Sequence, residues 1–269
     1  MSQLIYKPEV TVVSKSELHD IESLKMYTGV SVPEFDTCDL DSIPEFAGRT
    51  CYQSFANPRP GGNKTYIGHI LESGHGSVLE HSVVTLLITG VSRSLTHELI
   101  RHRAGTGFSQ LSQRYAGDTH EIKFVVPPLI VDRPESIDKF LESVLIAKTN
   151  YESAVTSYVS VVGDKWVKDN RGATPTHQDL TYTRKKAREA ARSLLPNCVE
   201  THIVMSGNLR AWRNIIEQRA CIHADLEIRR LGVMVGRIMS GLSPNVFQDM
   251  EIFGDIDGYE SVVFACKKV

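Results

Sequence analysis

The five cysteines, Cys38, Cys51, Cys198, Cys221 and Cys266, include no CxxC pair, are odd in number and lie far apart. Neither a disulfide framework nor a zinc knuckle is suggested. The N-terminus, MSQLIYKPEV, lacks a basic segment followed by an apolar stretch, and no apolar run approaches the length of a membrane span. A reducing cytosol is the expected compartment. Charge of one sign is also missing: a net charge of −2 argues against whole-surface attraction to nucleic acid or anionic lipid. Internal repeats and low-complexity tracts are absent as well.

What is there suffices for a sizeable core. The 269 residues are 41% hydrophobic, enough for one large domain or two small ones. The Pro/Gly-rich stretches NPRPGGNK (57–64) and DNRGATPTHQD (169–179) are too short to separate domains, so the chain reads as a single domain, 1–269, with a helical insertion at about 133–175. Apolar periodicity predicts strands at 10–14, 82–89, 122–127 and 200–207. Helices are expected around 41–54, 64–73, 92–101, 135–162, 177–194, 208–220 and 223–240. The mixture is α+β.

One segment stands out against this background. RHRAGTGFSQLSQRY (101–115) holds Arg101, His102, Arg103 and Arg114 among small residues and hydroxyls. Cations at the end of the preceding helix are mildly favoured by its dipole, by roughly 0.3–1 kcal/mol, which is one explanation. The continuation suggests another: small residues let a backbone approach a ligand, and Ser109, Ser112 and Arg114 add donors. In an extended segment Ser112 and Arg114 face the same side, where a hydroxyl and a guanidinium suit a phosphate.

Two further clusters are basic. In YTRKKAREAARSLLP, Arg184, Arg188 and Arg192 line one helical face. Arg184 and Arg188 are expected to be solvated, and Arg192, near the helix end, to reach inward. In GNLRAWRNIIEQRACIHADLEIRRL, one face carries Trp212, Ile215, Ile216, Arg219 and His223. A buried arginine requires a partner, so Arg219 must meet an anion, a carboxylate or a ligand, with a structural ion pair as the generic case.

Together these segments resemble the flavin-dependent thymidylate synthase family, over most of the chain. That family's signature is RHR, seven or eight residues, then serine; here Arg101, His102 and Arg103 are followed by eight residues and Ser112. GHGSVLEHS (74–82), SQLSQRY (109–115), REAARSLLP (188–196), GNLRAWRN (207–214) and QRACIHADLEIRR are alike too. The resemblance implies a mostly antiparallel central sheet flanked by helices. It also implies reductive methylation of dUMP to dTMP, with 5,10-methylenetetrahydrofolate as carbon donor, FAD as hydride carrier and NADPH as reductant, releasing tetrahydrofolate. A homotetramer with active sites shared between subunits is implied as well.

Site residues follow from the same resemblance. Arg101, His102 and Arg103 would contact FAD, with Arg101 also near dUMP. Glu98, Leu99 and Ile100 would line the nucleotide; Gln110, Leu111, Ser112, Gln113 and Arg114 would cradle it, Gln110 touching FAD too; and Arg192 would add a phosphate contact. His81 and the backbone near Val83 match one flavin segment, and Asn208, Leu209, Arg210 and Asn214 a second. Cys51 stands where the family often has a serine near FAD. His223 is either near the flavin or a core histidine. Arg219 matches the arginine that promotes ionisation at N3 of uracil, where a cation stabilises developing charge.

Other readings differ in class. A basic loop with a basic helix could form an RNA or nucleotide phosphate-binding module without catalysis, but no aromatic platform interleaves with it. His75, His81, His97 and His102 have no spacing of the HExxH kind, so no metal site is expected. Ser112 lies in no Ser-His-acid order, and Cys198, outside the motifs, reads as a buried small hydrophobe rather than a nucleophile.

Overall fold

In a computed structural model, residues 4–19, 21–28, 39–57, 59–115, 121–254 and 258–267 are described; Cys38 lies outside them. The strands are β1 (Leu4–Ile5), β2 (Glu9–Lys15), β3 (Val83–Ser92), β4 (Thr106–Gln110), β5 (Phe124–Val125), β6 (Glu200–Asn208), β7 (Met250–Gly254) and β8 (Glu260–Phe264). The helices are α1 (Ile21–Thr28), α2 (Asp39–Tyr52), α3 (Gly62–Ser73), α4 (Arg93–Leu99), α5 (Pro134–Asp169), α6 (His177–Ala191), α7 (Leu209–Arg219) and α8 (Leu226–Leu242). The central sheet has the order β2-β3-β6-β4. Its pairs run antiparallel: Leu209 N–H bonds to Ser82 O and Arg93 N–H to Val199 O along β3 and β6, while Asn208 N–H bonds to Gly105 O and Leu111 N–H to His202 O along β6 and β4. The α+β expectation, with an antiparallel central sheet, is met.

The chain forms two compact units. The first comprises residues 1–8, 89–96 and 110–202. Its centre is the α5/α6 pair, whose residues Val144, Tyr151 and Ala191 are buried with Ile122, Phe124 and Val199, and against which Cys198 packs. Pro134 opens α5 at a position where its missing N–H costs nothing, and the helix runs on to Asp169, past the expected 162. DNRGATPTHQD is a tight connection between helices: Arg171 and Gly172 sit at φ 54° and 80°, and Thr176 with Asp179 forms a capping box that starts α6. The expected strand at 122–127 reduces to two residues, paired in parallel as Leu4↔Phe124 and Ile5↔Val125, because Pro127 and Pro128 supply no amides to extend it.

The second unit comprises residues 9–88, 97–109 and 203–269. Its part of β3 alternates strictly, with Val84, Leu86 and Ile88 fully buried, as a half-buried strand should. Pro44 inside α2 has no N–H for the Leu40 carbonyl one turn back; the Ser82 hydroxyl donates to that carbonyl instead, at 2.9 Å. Helices α7 and α8 cross closely at Gly232, where a Cβ would meet the Ala220 amide nitrogen at 2.9 Å. The hairpin β7/β8 was not expected, although the alternation EIF and VVF around an Asp-Gly pair in EIFGDIDGYESVVF is a hairpin signal.

Buried arginines hold this unit together. Arg213 forms a two-pronged bond to Asp249 at 2.7 and 3.0 Å, donates to the Val246 and Cys266 carbonyls, and stacks 4.4 Å from the Phe264 ring. Cys266 N–H also donates to Asp249 at 2.9 Å. Arg229, fully buried, donates to the Glu260 and Tyr259 carbonyls. Arg49 pairs with Glu45 at 2.7 Å within α2. No helix among the described residues is long and apolar enough to cross a membrane.

Candidate active site

In the second unit, α4 ends at Leu99 and the chain turns back on itself through bonds from Arg101 N–H to Glu98 O and from His102 N–H to Leu99 O. Arg101 and Arg103 are thereby left exposed and His102 half-buried. The Thr106 hydroxyl fixes the turn by donating to the His102 carbonyl at 2.5 Å.

Arg219, the last residue of α7, reaches this turn. Its Nε donates to His102 Nε2 at 2.8 Å, one terminal nitrogen to Glu98 Oε2 at 2.7 Å, and the other to the Glu98 carbonyl at 3.4 Å. Since Nε2 accepts, the imidazole is neutral and carries its proton on Nδ1. Burial first, then the charges of Arg219 and Arg101, hold the His102 pKa below 6.5, so the ring stays an acceptor. Glu98 is thus the carboxylate that the apolar stripe of α7 required. His223 is not on that stripe, contrary to the helical reading. The Ala220 carbonyl accepts Val262 N–H from β8, α7 stops at Arg219, and His223 lies exposed in the turn before α8.

The start of α7 builds a second feature. Asn208 caps the helix by accepting Ala211 N–H at 2.8 Å. Gly105 packs against it with φ 68°, and a Cβ there would lie 2.5 Å from Asn208 Nδ2; this explains a glycine in the AGTG run. Around them opens a cleft of about 390 Å³ lined by Ala104, Gly105, Asn208, Arg210, Asn214 and Lys267, with Glu80 held by Arg210 at 2.6 Å. Small residues with amide and cationic donors at a helix N-terminus fit the phosphates of a dinucleotide such as FAD. His81, Val83, Cys51 and Ile100 are exposed, whereas Leu99 and Leu209 are buried.

The first unit carries the remaining residues. Gln110, the last residue of strand β4 (Thr106–Gln110), begins this unit's segment 110–202. Gln110 Nε2 donates to the hydroxyls of Thr96 at 2.8 Å and Thr201 at 3.3 Å. Ser112 and Arg114 are not extended. Tyr115 N–H bonds back to Ser112 O and Arg114 N–H to Ser112 Oγ, so the segment is a serine-centred turn. Gln113 is half-exposed within it. Arg114 lies 3.7 Å from Glu189, and Lys185 sits 5.1 Å over the Tyr115 ring.

On α6 the expectation reverses in part. The buried face runs through Thr183, Ala187 and Ala191 and takes in Arg188, so Arg188 is buried; Arg184 is exposed as expected. Arg192, in a short 3-10 turn after the helix, is exposed rather than turned inward. Arg93 was missed by sequence reasoning. It is half-buried, donates to the Leu111 carbonyl at 3.3 Å, and has its pKa lowered by burial and then by the like charge of Arg192. An anion beside these two guanidinia would relieve both effects. Nothing in the sequence distinguished Arg93 from a surface arginine. Among the described residues no group of three or more His, Cys, Asp or Glu side chains is placed to hold a metal.

The fold is α+β, and its second unit gathers arginines at the basic turn and around the N-terminus of α7. More narrowly, the chain belongs to the flavin-dependent thymidylate synthase family. Residues 35–245 match the family model described as thymidylate synthase complementing protein. The chain is 46% identical over 221 residues to the flavin-dependent thymidylate synthase of Mycolicibacterium vanbaalenii, covering 81% of this chain and 83% of that one. It is 41% identical over 240 residues to that of Mycobacteroides abscessus, covering 87% and 90%, and 45% identical over 215 residues to that of Corynebacterium diphtheriae, covering 79% and 80%.

Proposed function

We propose that this chain is a flavin-dependent thymidylate synthase, converting dUMP to dTMP with 5,10-methylenetetrahydrofolate as carbon donor and NADPH as reductant. The observation that carries this reading is identity above 40% to enzymes of that name over about four fifths of the chain or more. FAD, when bound, supplies hydride transfer, so the protein's task is to bind, orient and polarise.

FAD is held by Arg101, His102 and Arg103 of the basic turn together with Asn208, Arg210 and Asn214 of the cleft; His81, Val83, Cys51, Leu209, Gln110 and His223 belong to the same proposal. The nucleotide is taken by Gln110, Leu111, Ser112, Gln113, Arg114 and Arg192, with Glu98, Leu99, Ile100 and Arg101 alongside. To these we add Arg93 as a phosphate ligand, on the strength of its proximity to Arg192. Arg219 carries a fixed positive charge to the uracil edge and stabilises ionisation at N3. Neutral His102 orients that guanidinium through Nε without competing for its charge, while Glu98 holds the terminal nitrogens. No nucleophilic residue is required.

The whole chain acts as one catalytic domain, with a helical insertion at about 133–175, as a homotetramer with active sites shared between subunits. It works in the cytosol without nucleic acid or membrane. The absorption spectrum of purified protein, before and after addition of NADPH with dUMP, tests the central reading. A flavin band that bleaches, followed by dTMP formation on addition of the folate, is expected. Protein that takes up no flavin even from added FAD overturns it and leaves a phosphate-binding module without catalysis, to be tested by a salt-dependent shift with RNA.

A further inference from the structure

Strand β2 ends the central sheet, and it is unusually bare. Among the described residues β3 is its only strand neighbour. Of its seven residues, EVTVVSK, only Val10 is even partly buried; Val12 and Val13 are 38% and 56% exposed. A seven-residue edge with exposed valines is a template for another strand.

The sequence of β2 specifies which strand. Ser16 N–H, immediately after β2, donates to the Val83 carbonyl of β3 at 2.9 Å. Backbone groups alternate along an extended strand, so those of Val10, Val12 and Ser14 point to β3, and those of Glu9, Thr11, Val13 and Lys15 point outward. A second β2 laid antiparallel about Val12 meets this pattern at every position. Thr11 faces Val13 of the other copy and Glu9 faces Lys15, and all four are residues whose outward N–H and C=O are available for the ladder. Val12 faces its own counterpart at a non-hydrogen-bonded position, where side chains come closest. The two charges at the ends of the strand are opposite in sign and become cross-strand ion pairs, one at each end. A parallel pairing in register would set Glu9 against Glu9 and Lys15 against Lys15.

We propose that β2 is a self-pairing edge: two copies of this chain join their central sheets through antiparallel β2 strands centred on Val12, with reciprocal Glu9–Lys15 pairs. The interface is isologous, as a two-fold dimer requires. β2 itself contains none of the residues assigned to the active site, so substitutions on its outer edge touch no proposed ligand contact directly.

Charge reversal tests the register. In Glu9→Lys, both ends of the pairing place lysine against lysine; in Lys15→Glu, glutamate faces glutamate. Each single variant should dissociate to half the wild-type mass at concentrations where the parent is associated, with the midpoint raised about tenfold or more. Sedimentation velocity reads this directly. Mixing the two single variants should restore the larger species, since each lysine-only edge then faces a glutamate-only edge, and the double variant E9K/K15E should associate on its own. Val13→Pro, which removes an outward N–H and leaves the bonds to β3 intact, should also dissociate. Retention of the parental mass by both single variants overturns the proposal, as does failure of the mixture to reassociate while circular dichroism shows both variants folded. Flavin uptake and dTMP formation by the unsubstituted protein report separately on the enzymatic reading, so failure of one proposal is distinguishable from failure of the other.

Discussion

Arg219 donates through its Nε to a histidine, His102, at 2.8 Å, while its terminal nitrogens are taken by Glu98. A guanidinium facing an imidazole nitrogen is stable only while that imidazole is unprotonated, so the charge state of His102 and the position of Arg219 are coupled.

Arg219→Ala should retain the fold and lose dTMP formation by about 10²–10³-fold, the scale of a lost charge-stabilising donor. The His102 pKa should rise toward 6.5, because Arg219 is one of the groups that depress it; an NMR titration of the ring protons reads this. The sign for stability follows. Between its lowered pKa and 6.5 the folded chain binds fewer protons at His102 than the unfolded chain does, so stability falls as pH drops through that window. The variant should show a shallower fall.

Arg93→Ala should raise the KM for dUMP about tenfold or more, the scale of a lost charge-assisted hydrogen bond, with a smaller change in kcat. Steady-state kinetics at saturating folate and NADPH separate the two. An unchanged KM would remove Arg93 from the phosphate site.

Gly105→Ala forces a Cβ onto Asn208 and places alanine at φ 68°. The backbone term alone is about 1–2 kcal/mol, measurable by urea unfolding. Because Asn208 caps α7 at the cleft, FAD retention during gel filtration should fall as well.

The stability of the second unit depends on Arg213. Arg213→Ala leaves the largely covered Asp249 carboxylate without its cation and should cost about 3 kcal/mol in chemical denaturation. Burial pushes the Asp249 pKa up, but the hydrogen bonds and charge of Arg213 outweigh it and hold the carboxyl below 3.8. This contribution is present above 3.8 and lost as pH falls through the lowered pKa. In the variant, acid unfolding should therefore begin at higher pH.

Cys198→Ala should keep turnover close to wild type, since Cys198 packs against the α5/α6 core and no step requires a thiol. A large loss of kcat with the fold intact would require a nucleophile after all.

Much of this molecule was legible in its sequence where one local signal dominates. The alternation of β3 and β6, the apolar stripe of α7 and the RHR turn all emerge from periodicity and spacing. What failed depended on partners distant in sequence. Arg188 is buried and Arg192 exposed because the inward face of α6 is set by packing against α5, which a four-residue spacing of arginines does not reveal. The fate of His223 rests on β8 capturing the Ala220 carbonyl, and β8 lies in a stretch to which periodicity assigned no strand. Arg93 acquires meaning only through its neighbour Arg192, 99 residues on. Arg213 was passed over for Arg219, although Arg213 is the more deeply buried of the two, because its carboxylate is supplied by Asp249.

The Arg213 cluster also orders events during synthesis. Asp249 lies 36 residues beyond Arg213, and the Cys266 amide and carbonyl that complete the cluster lie 53 beyond it. A ribosome that has just released α7 has thus made a helix with a cation on its inward side and nothing yet to meet it. The cluster that anchors the helix ending in Arg219 is complete only once residues 249 and 266 have emerged. Ligand-binding competence should therefore appear late and abruptly on the nascent chain, and a stall before residue 249 should leave a species for chaperones rather than a partial enzyme.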